Sequence, residues 1–411
     1  YELAVHHRFS PKVRKWWPRP DTPEYYAALV NHDRAKRGER RLTFSDGNLT
    51  FRINKLGFLH YAEVSLGTPA TSFLVALDTG SDLFWVPCDC KSCASNLEFG
   101  IYSPSASLTS KKVLCNNSLC QATCSEAEFC PYKVAYISSE TSSSGVLVED
   151  ILYLTTEDEA VEARVTFGCG EIQTGSFLDS AAPNGLFGLG MEKVSVPSIL
   201  ASLGLVSDSF SMCFGLDGLG RISFGDKGTS DQDETPFSPS PTYIVSVTGM
   251  QVGSSYTEDF NALIDSGTSF TTLSDPAYTH ITQSFDAQVR DKRDPQIPFE
   301  CCYLISSNQP EIPVIHLTMK GGSQFPIINP IIFISVKQGE VIYCLAVVKG
   351  GNWNIIGQNF MTGLRVVFDR EKLILGWKNA NCEIADSSLF PVNPRNPGGS
   401  STGPNSYNPE A

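Results

Sequence analysis

A chain of 411 residues is too long for one ordinary hydrophobic core, so two packed units with tails are expected. With 41% hydrophobic and 18% charged residues it is neither a disordered chain nor a coiled coil, and no apolar run is long enough to cross a bilayer as a helix, so a soluble globular protein is expected. The net charge of −13 is unevenly spread: residues 1–41 hold 10 Lys+Arg against 5 Asp+Glu, net +5, while residues 42–411 hold net −18. A basic solvated arm or a nucleic-acid arm would share that charge, but the Pro-flanked aromatics of the leader point to docking on protein.

The chain opens at Tyr1 with no Met and no apolar targeting stretch, as expected if any targeting peptide has been removed or left out. Thr22-Pro23 makes an N-cap and first-turn pair and Gly38 can end the helix, which predicts about four turns between them. Tyr25, Tyr26, Leu29 and Val30 form an apolar stripe that needs a surface to cover. Beyond it, Lys36-Arg37 and Arg40-Arg41 are paired basic residues that suit proteolytic processing.

From Leu56 onward short apolar runs broken by Gly, Pro, Asn and Ser predict β structure. Helices are expected near Pro197–Leu203 and from Asp275-Pro276. A last hairpin is expected from Arg365–Asp369 through Arg370-Glu-Lys372 into Leu373–Trp377. After Cys382 the Pro/Gly/Ser/Asn-rich stretch to Ala411 reads as a flexible tail. Of 13 Cys, seven lie between Cys88 and Cys130, which points to an oxidising, secretory compartment. A zinc site at Cys88-x-Cys90-x2-Cys93 is the alternative, but scattered His and many further Cys favour disulfides and no metal. The odd total leaves a thiol over, to be sought at the adjacent Cys301-Cys302. Asn48-Leu-Thr and Asn116-Asn-Ser are glycosylation sequons.

The strongest signal is a degenerate repeat. Leu74-Val-Ala-Leu-Asp78-Thr79-Gly80-Ser81 and Asn261-Ala-Leu-Ile-Asp265-Ser266-Gly267-Thr268 share one plan, and each is followed later by two apolar residues and Gly, at Leu186-Phe187-Gly188 and Ile355-Ile356-Gly357. Two related lobes explain this economically. An Asp at the end of an apolar strand is costly to bury unless donors hold it. Gly80 and Gly267 permit a tight turn that brings backbone N–H groups to the carboxylate, and Ser81 and Thr268 add hydroxyls. If the halves pair about a pseudo-twofold axis, the two carboxylates meet, hold one proton between them, and activate a water without metal, cofactor or covalent nucleophile.

Leu66-Gly-Thr-Pro69, Asp78 through Trp85-Val-Pro87, Asn184-Gly-Leu-Phe-Gly-Leu-Gly190, Asp265-Ser-Gly-Thr-Ser269 and Asn354-Ile-Ile-Gly357 resemble, in order, the signature blocks of the pepsin-like aspartic proteases, over roughly Leu59 to Cys382. The Cys-rich insert after Trp85, Phe167-Gly-Cys-Gly170 and Phe210-Ser-Met-Cys213 resemble the plant nepenthesin-like branch, and His6-His-Arg-Phe-Ser10 through Leu59-His-Tyr61 is similar to its membrane-associated aspartyl protease members. The resemblance implies a mainly β, bilobal acid-protease fold with a central cleft, a leader over 1–55, lobes over 56–238 and 239–384, and a tail over 385–411.

It further implies an aspartic endopeptidase made as a zymogen, with Asp78 and Asp265 as the catalytic pair, Tyr136 as the flap tyrosine and Trp85 as its partner. The usual Tyr-Gly-x-Gly-Ser flap instead reads Tyr136-Ile-Ser-Ser-Glu-Thr-Ser-Ser-Ser-Gly145, longer and without the early Gly. A strand tyrosine at a sheet edge is the plainer reading of Tyr136. By the same resemblance Cys302 pairs with Cys344 and Cys301 is the extra thiol. The implied partners are peptide and protein substrates and the chain's own prosegment, in a monomer at the cell surface or outside the cell, with a C-terminal lipid anchor or a vacuolar address as alternatives. The rivals are a pepsin-like binding or inhibitor protein, which would have lost an Asp or its Gly, and a Cys-rich structural protein, which leaves the repeat unexplained.

Overall fold

The computed structural model describes residues 60–380 and 382, apart from 95–99, 125–127, 137–139, 156–159, 179–181, 183, 217–218, 254, 257–258, 295–298, 306–309 and 336–340, together with strands at 2–6, 44–46 and 49–51. The expected leader helix, the basic pairs from Lys36 to Arg41, Asn48 and the tail from Ala385 lie outside the described residues. The architecture is mainly β and two-lobed.

The first lobe is built on β1 (Glu2–His6), β2 (Tyr61–Leu66), β3 (Thr71–Asp78), β4 (Trp85–Ser92), β5 (Pro131–Ala135), β6 (Ser142–Thr155), β7 (Ala160–Thr174) and β8 (Leu186–Gly188). The second contains β9 (Phe260–Ile264), β10 (Thr271–Leu273) and β11 (Ile355–Ile356), with helix α1 (Val196–Ser202) belonging to the first and α2 (Ala277–Asp286) to the second. Both helices start at a proline, Pro197 in the first turn and Pro276 at the N-cap, because the fixed φ of Pro is ready-made for a helix entry. The final hairpin pairs Leu364–Asp369 with Ile374–Asn379. Leu373 takes a left-handed φ of 57° at its turn, so the second strand begins one residue later than the sequence suggests.

A sheet of 14 strands among the described residues joins the lobes. The hairpin 364–379 lies in it beside Ser209–Phe214, and β1 is inserted antiparallel between Leu219–Phe224 and β2. The leader therefore begins inside this sheet. Strand β3 is buried from Phe73 to Asp78. Phe73, Val75 and Leu77 face the main core while Leu74 and Ala76 face a second cluster with Tyr61, Trp85 and Phe177. A strand covered on both faces loses its polar alternation, and each buried large apolar side chain contributes about 1.5–3 kcal/mol.

The lobes repeat one local plan. Strand β8 runs parallel to β3, pairing Gly188 with Asp78, and β11 runs parallel to β9, pairing Ile356 with Ile264. The first pairing ends on Gly188 and the second is followed directly by Gly357, because the turn after the Asp strand passes too close for a side chain at either. A Cβ at Gly357 would lie 2.8 Å from the Phe270 carbonyl carbon and 2.9 Å from the Thr268 oxygen, both backbone atoms. Gly357→Ala is therefore expected to destabilise the fold by about 1–3 kcal/mol, read as a lower urea midpoint; an unchanged midpoint would show that the turn can yield.

Six disulfides are formed: Cys88–Cys169, Cys90–Cys93, Cys115–Cys124, Cys120–Cys130, Cys213–Cys382 and Cys302–Cys344. Among the described residues the free cysteine is the buried Cys301. Cys88, Cys90 and Cys93 thus divide between two bridges, Cys88–Cys169 and Cys90–Cys93.

Candidate active site

Asp78 closes β3 and Asp265 follows β9, and both are buried, with 3% and 7% of their surfaces exposed. The residues after each Asp turn back on it in the same way. The Gly80 N–H donates to Asp78 Oδ1 at 2.9 Å and the Ser81 hydroxyl to Oδ2 at 2.7 Å. The Gly267 N–H donates to Asp265 Oδ1 at 2.8 Å and the Thr268 hydroxyl to Oδ2 at 2.6 Å. Two donors per carboxylate offset the cost of burying it.

The small hydroxyl residues between Asp and Gly point the other way, across the lobe boundary. Thr79 Oγ1 accepts the Ser266 N–H at 2.9 Å and donates to the Ile264 carbonyl at 3.0 Å. Ser266 Oγ accepts the Thr79 N–H at 3.1 Å and donates to the Leu77 carbonyl at 3.0 Å. Four reciprocal bonds lock the two turns face to face. As a result one point, where a Cβ on Gly80 would sit, lies 2.8 Å from Asp265 Oδ1 and 3.1 Å from Asp78 Oδ1. A side chain there would wedge between the carboxylates, so the site requires Gly80.

Trp85 and Tyr136 also meet: the Trp85 Nε1–H donates to the Tyr136 hydroxyl at 2.7 Å. Burial first, and then the negative charge of Asp78, hold the Tyr136 phenol well above its ordinary range, so it stays neutral. Phe177, which nothing in the local sequence marks, stands edge-on to both rings at 4.9 and 5.0 Å. Tyr136 directly follows β5, which pairs with β6 as a hairpin; the tip at 137–139 lies outside the described residues. Tyr136→Phe leaves the buried Trp85 N–H without that acceptor, which costs about 1–3 kcal/mol. A lower urea midpoint is expected, and an unchanged one would mean that the contact only shapes the sheet edge.

A cleft of about 520 Å3 opens over the pair and is lined by Asp78, Asp265, Gly80, Ser81, Thr268 and Tyr136 among others. Asp82 and Glu192 lie in the same lining and were not apparent from sequence. The Asp82 carboxyl is pushed up by burial and by the charges of Glu192 and Asp78, against the pull of the Glu192 N–H and Arg370. Cys302–Cys344 sits in the second lobe on paired strands, away from the cleft lining, and Asn116 is exposed in the Cys-rich insert. Such an arrangement can hold a polar molecule between two carboxylates and an extended chain beneath a tyrosine-bearing hairpin.

Residues 60–226 match the family model described as Xylanase inhibitor N-terminal, and residues 242–379 that described as Xylanase inhibitor C-terminal. The chain is 52% identical to Aspartyl protease family protein 1 of Arabidopsis thaliana, over 100% of this chain and 87% of that protein. It is 28% identical to aspartic proteinase nepenthesin-1 of Nepenthes gracilis, over 78% of this chain and 77% of that protein. The solved structure of basic 7S globulin from soybean superposes with a TM-score of 0.65 at 21% identity, over 81% of this chain and 96% of that one; this is a likeness of fold.

Proposed function

Because the chain belongs to the plant branch of the pepsin-like aspartic proteases, we propose that it is an aspartic endopeptidase in which Asp78 and Asp265 activate one water between them. The observation that carries this reading is the pair of buried carboxylates, each held by its own N–H and hydroxyl, approaching a common point in a cleft. Carboxylates that close share one proton. The ionised one takes a proton from water as it attacks the scissile carbonyl, and the protonated one donates to the carbonyl oxygen. The amine leaves with a proton returned from the pair. Acid favours this state, and it also neutralises the Asp82 carboxyl, which burial first and then the charges of Glu192 and Asp78 push up.

A binding protein on the same fold is the second reading, favoured by the inhibitor descriptions of the two matched models. The decisive experiment is a pH profile of peptide cleavage with and without pepstatin. Activity between about pH 3 and 6, abolished by pepstatin, is expected, for the pair must be singly protonated; no cleavage at any pH would favour the binder.

On the same reading the leader is an inhibitory prosegment. Its first strand shares a sheet with β2 and β3, and its paired basic residues suit an acidic cleft. An ion pair with a carboxylate persists at neutral pH and fades as acid protonates the carboxylate. Acid incubation is expected to release a new N-terminus between about residues 36 and 56, the stretch that holds the basic pairs; N-terminal sequencing that finds none at any pH would count against it. Passage through the secretory pathway, supported by the six disulfides, belongs to the same proposal, as do action as a monomer on peptide substrates and a surface anchor.

A further inference from the structure

The cleft extends past the catalytic pair. Beyond Tyr136 its wall is made by Leu83, Leu119, Ala122, Val134, Leu147 and Val194. Four of these come from strands and turns of the first lobe, but Leu119 and Ala122 come from the Cys-rich insert. Among the described residues between 113 and 130 the insert has no strand; the isolated bridge Leu114–Phe129, with the Cys115 N–H donating to the Glu128 carbonyl at 3.2 Å, joins its two ends. Two crosslinks hold the rest: Cys115–Cys124 closes the loop that carries Leu119 and Ala122, and Cys120–Cys130 ties it to the residue before β5. Strand β5 leads directly into Tyr136. Leu83, Leu147 and Val194 of the wall join Val113 and Cys130 in an apolar cluster against which Ala122 and Val134 pack.

Resting on the protease reading, we propose that this insert is a specificity element. Leu119 and Ala122 complete a subsite that receives one bulky apolar side chain of the substrate, of the size of leucine to phenylalanine. The lining also holds Asp82, Glu192, Gln121 and Lys133. They do not make it a cation site. Asp82 already accepts the Glu192 N–H through Oδ1 at 2.9 Å, and burial favours its neutral form. Lys133, on β5, adds a positive charge to the same lining. The half-exposed Leu119 has no backbone duty in a strand, so its size can be varied without disturbing the core.

The test uses the full chain and peptide libraries varied one position at a time, with Leu119→Trp to fill the subsite and Leu119→Ala to widen it. Wild type is expected to favour Leu, Met or Phe over Ala at one position by about tenfold or more, the scale of methylene discrimination in an apolar pocket. L119W should reverse that preference towards Gly and Ala at the same position alone, and L119A should extend it to Trp. Retention of uncleaved peptides on D78N and D78N/L119W reads the same subsite without catalysis. Cleavage with profiles unchanged by both Leu119 variants overturns the insert's role and leaves the protease reading intact. The size exchange seen in retained peptides without cleavage by wild type overturns the protease reading and upholds the subsite. Enrichment of Lys or Arg at that position, or peptides neither cleaved nor retained, overturns the proposal.

Discussion

Asp78→Asn is expected to lower kcat for peptide cleavage by about 10³- to 10⁴-fold while leaving the fold intact. Asn preserves the size of the side chain, and its carbonyl can still accept the Gly80 N–H that now binds Oδ1 at 2.9 Å. Its amide can donate to Ser81 Oγ, which now donates to Oδ2 and need only rotate its hydroxyl. What is lost is chemical. An amide cannot take a proton from water, and removing a positioned acid–base group costs on this scale. Asp265→Asn should behave alike, because Gly267 and Thr268 hold Asp265 in the same pattern. The measurement is kcat at acidic pH beside a thermal melt. Retained activity in either variant would remove the two-carboxylate mechanism, and a lost melt would show that the charge has a structural duty as well.

The second large effect is on stability. Thr79→Val keeps the shape of the side chain and removes the hydroxyl that accepts the Ser266 N–H and donates to the Ile264 carbonyl. Thr79 and Ser266 are 1% and 0% exposed, so water cannot replace it. Each buried group left without a partner costs about 1–3 kcal/mol, giving about 2–6 kcal/mol for the pair. Thr79→Ser keeps both bonds and loses a methyl, so it should cost about 1 kcal/mol. Urea denaturation of both variants reads the difference. A parallel fall in kcat is expected for Val, because these bonds align one lobe's carboxylate with the other's. Equal stability of Val and Ser would show that the lobes are held together by apolar packing alone.

How much of this could be read beforehand depends on the range of each interaction. The donors to Asp78 lie two and three residues along the chain, so the Asp, Gly and hydroxyl spacing announced them, and the second copy at Asp265 marked the duplication. Both helices carried a proline at their start, and the hairpin near the C-terminus carried a polar turn, Arg370-Glu-Lys372, between two apolar runs. Strand β3 hid its faces, because burial on both sides replaces alternation with a continuous apolar run. Phe177, Asp82, Glu192 and Leu119 had no local signature, since each acquires its place only by packing against residues far off in the chain.

From residue order alone come the mainly β character, the duplicated turn, and the self-contained cradle of each carboxylate, because every one of these rests on contacts within a few residues. Tertiary structure decided what stands opposite what. The Thr79–Ser266 lock spans 187 residues, and the insert reaches the cleft through Cys120–Cys130 rather than through any strand. Contacts of that kind depend on how two lobes and a crosslinked loop close in space, and no periodicity along the chain encodes that closure.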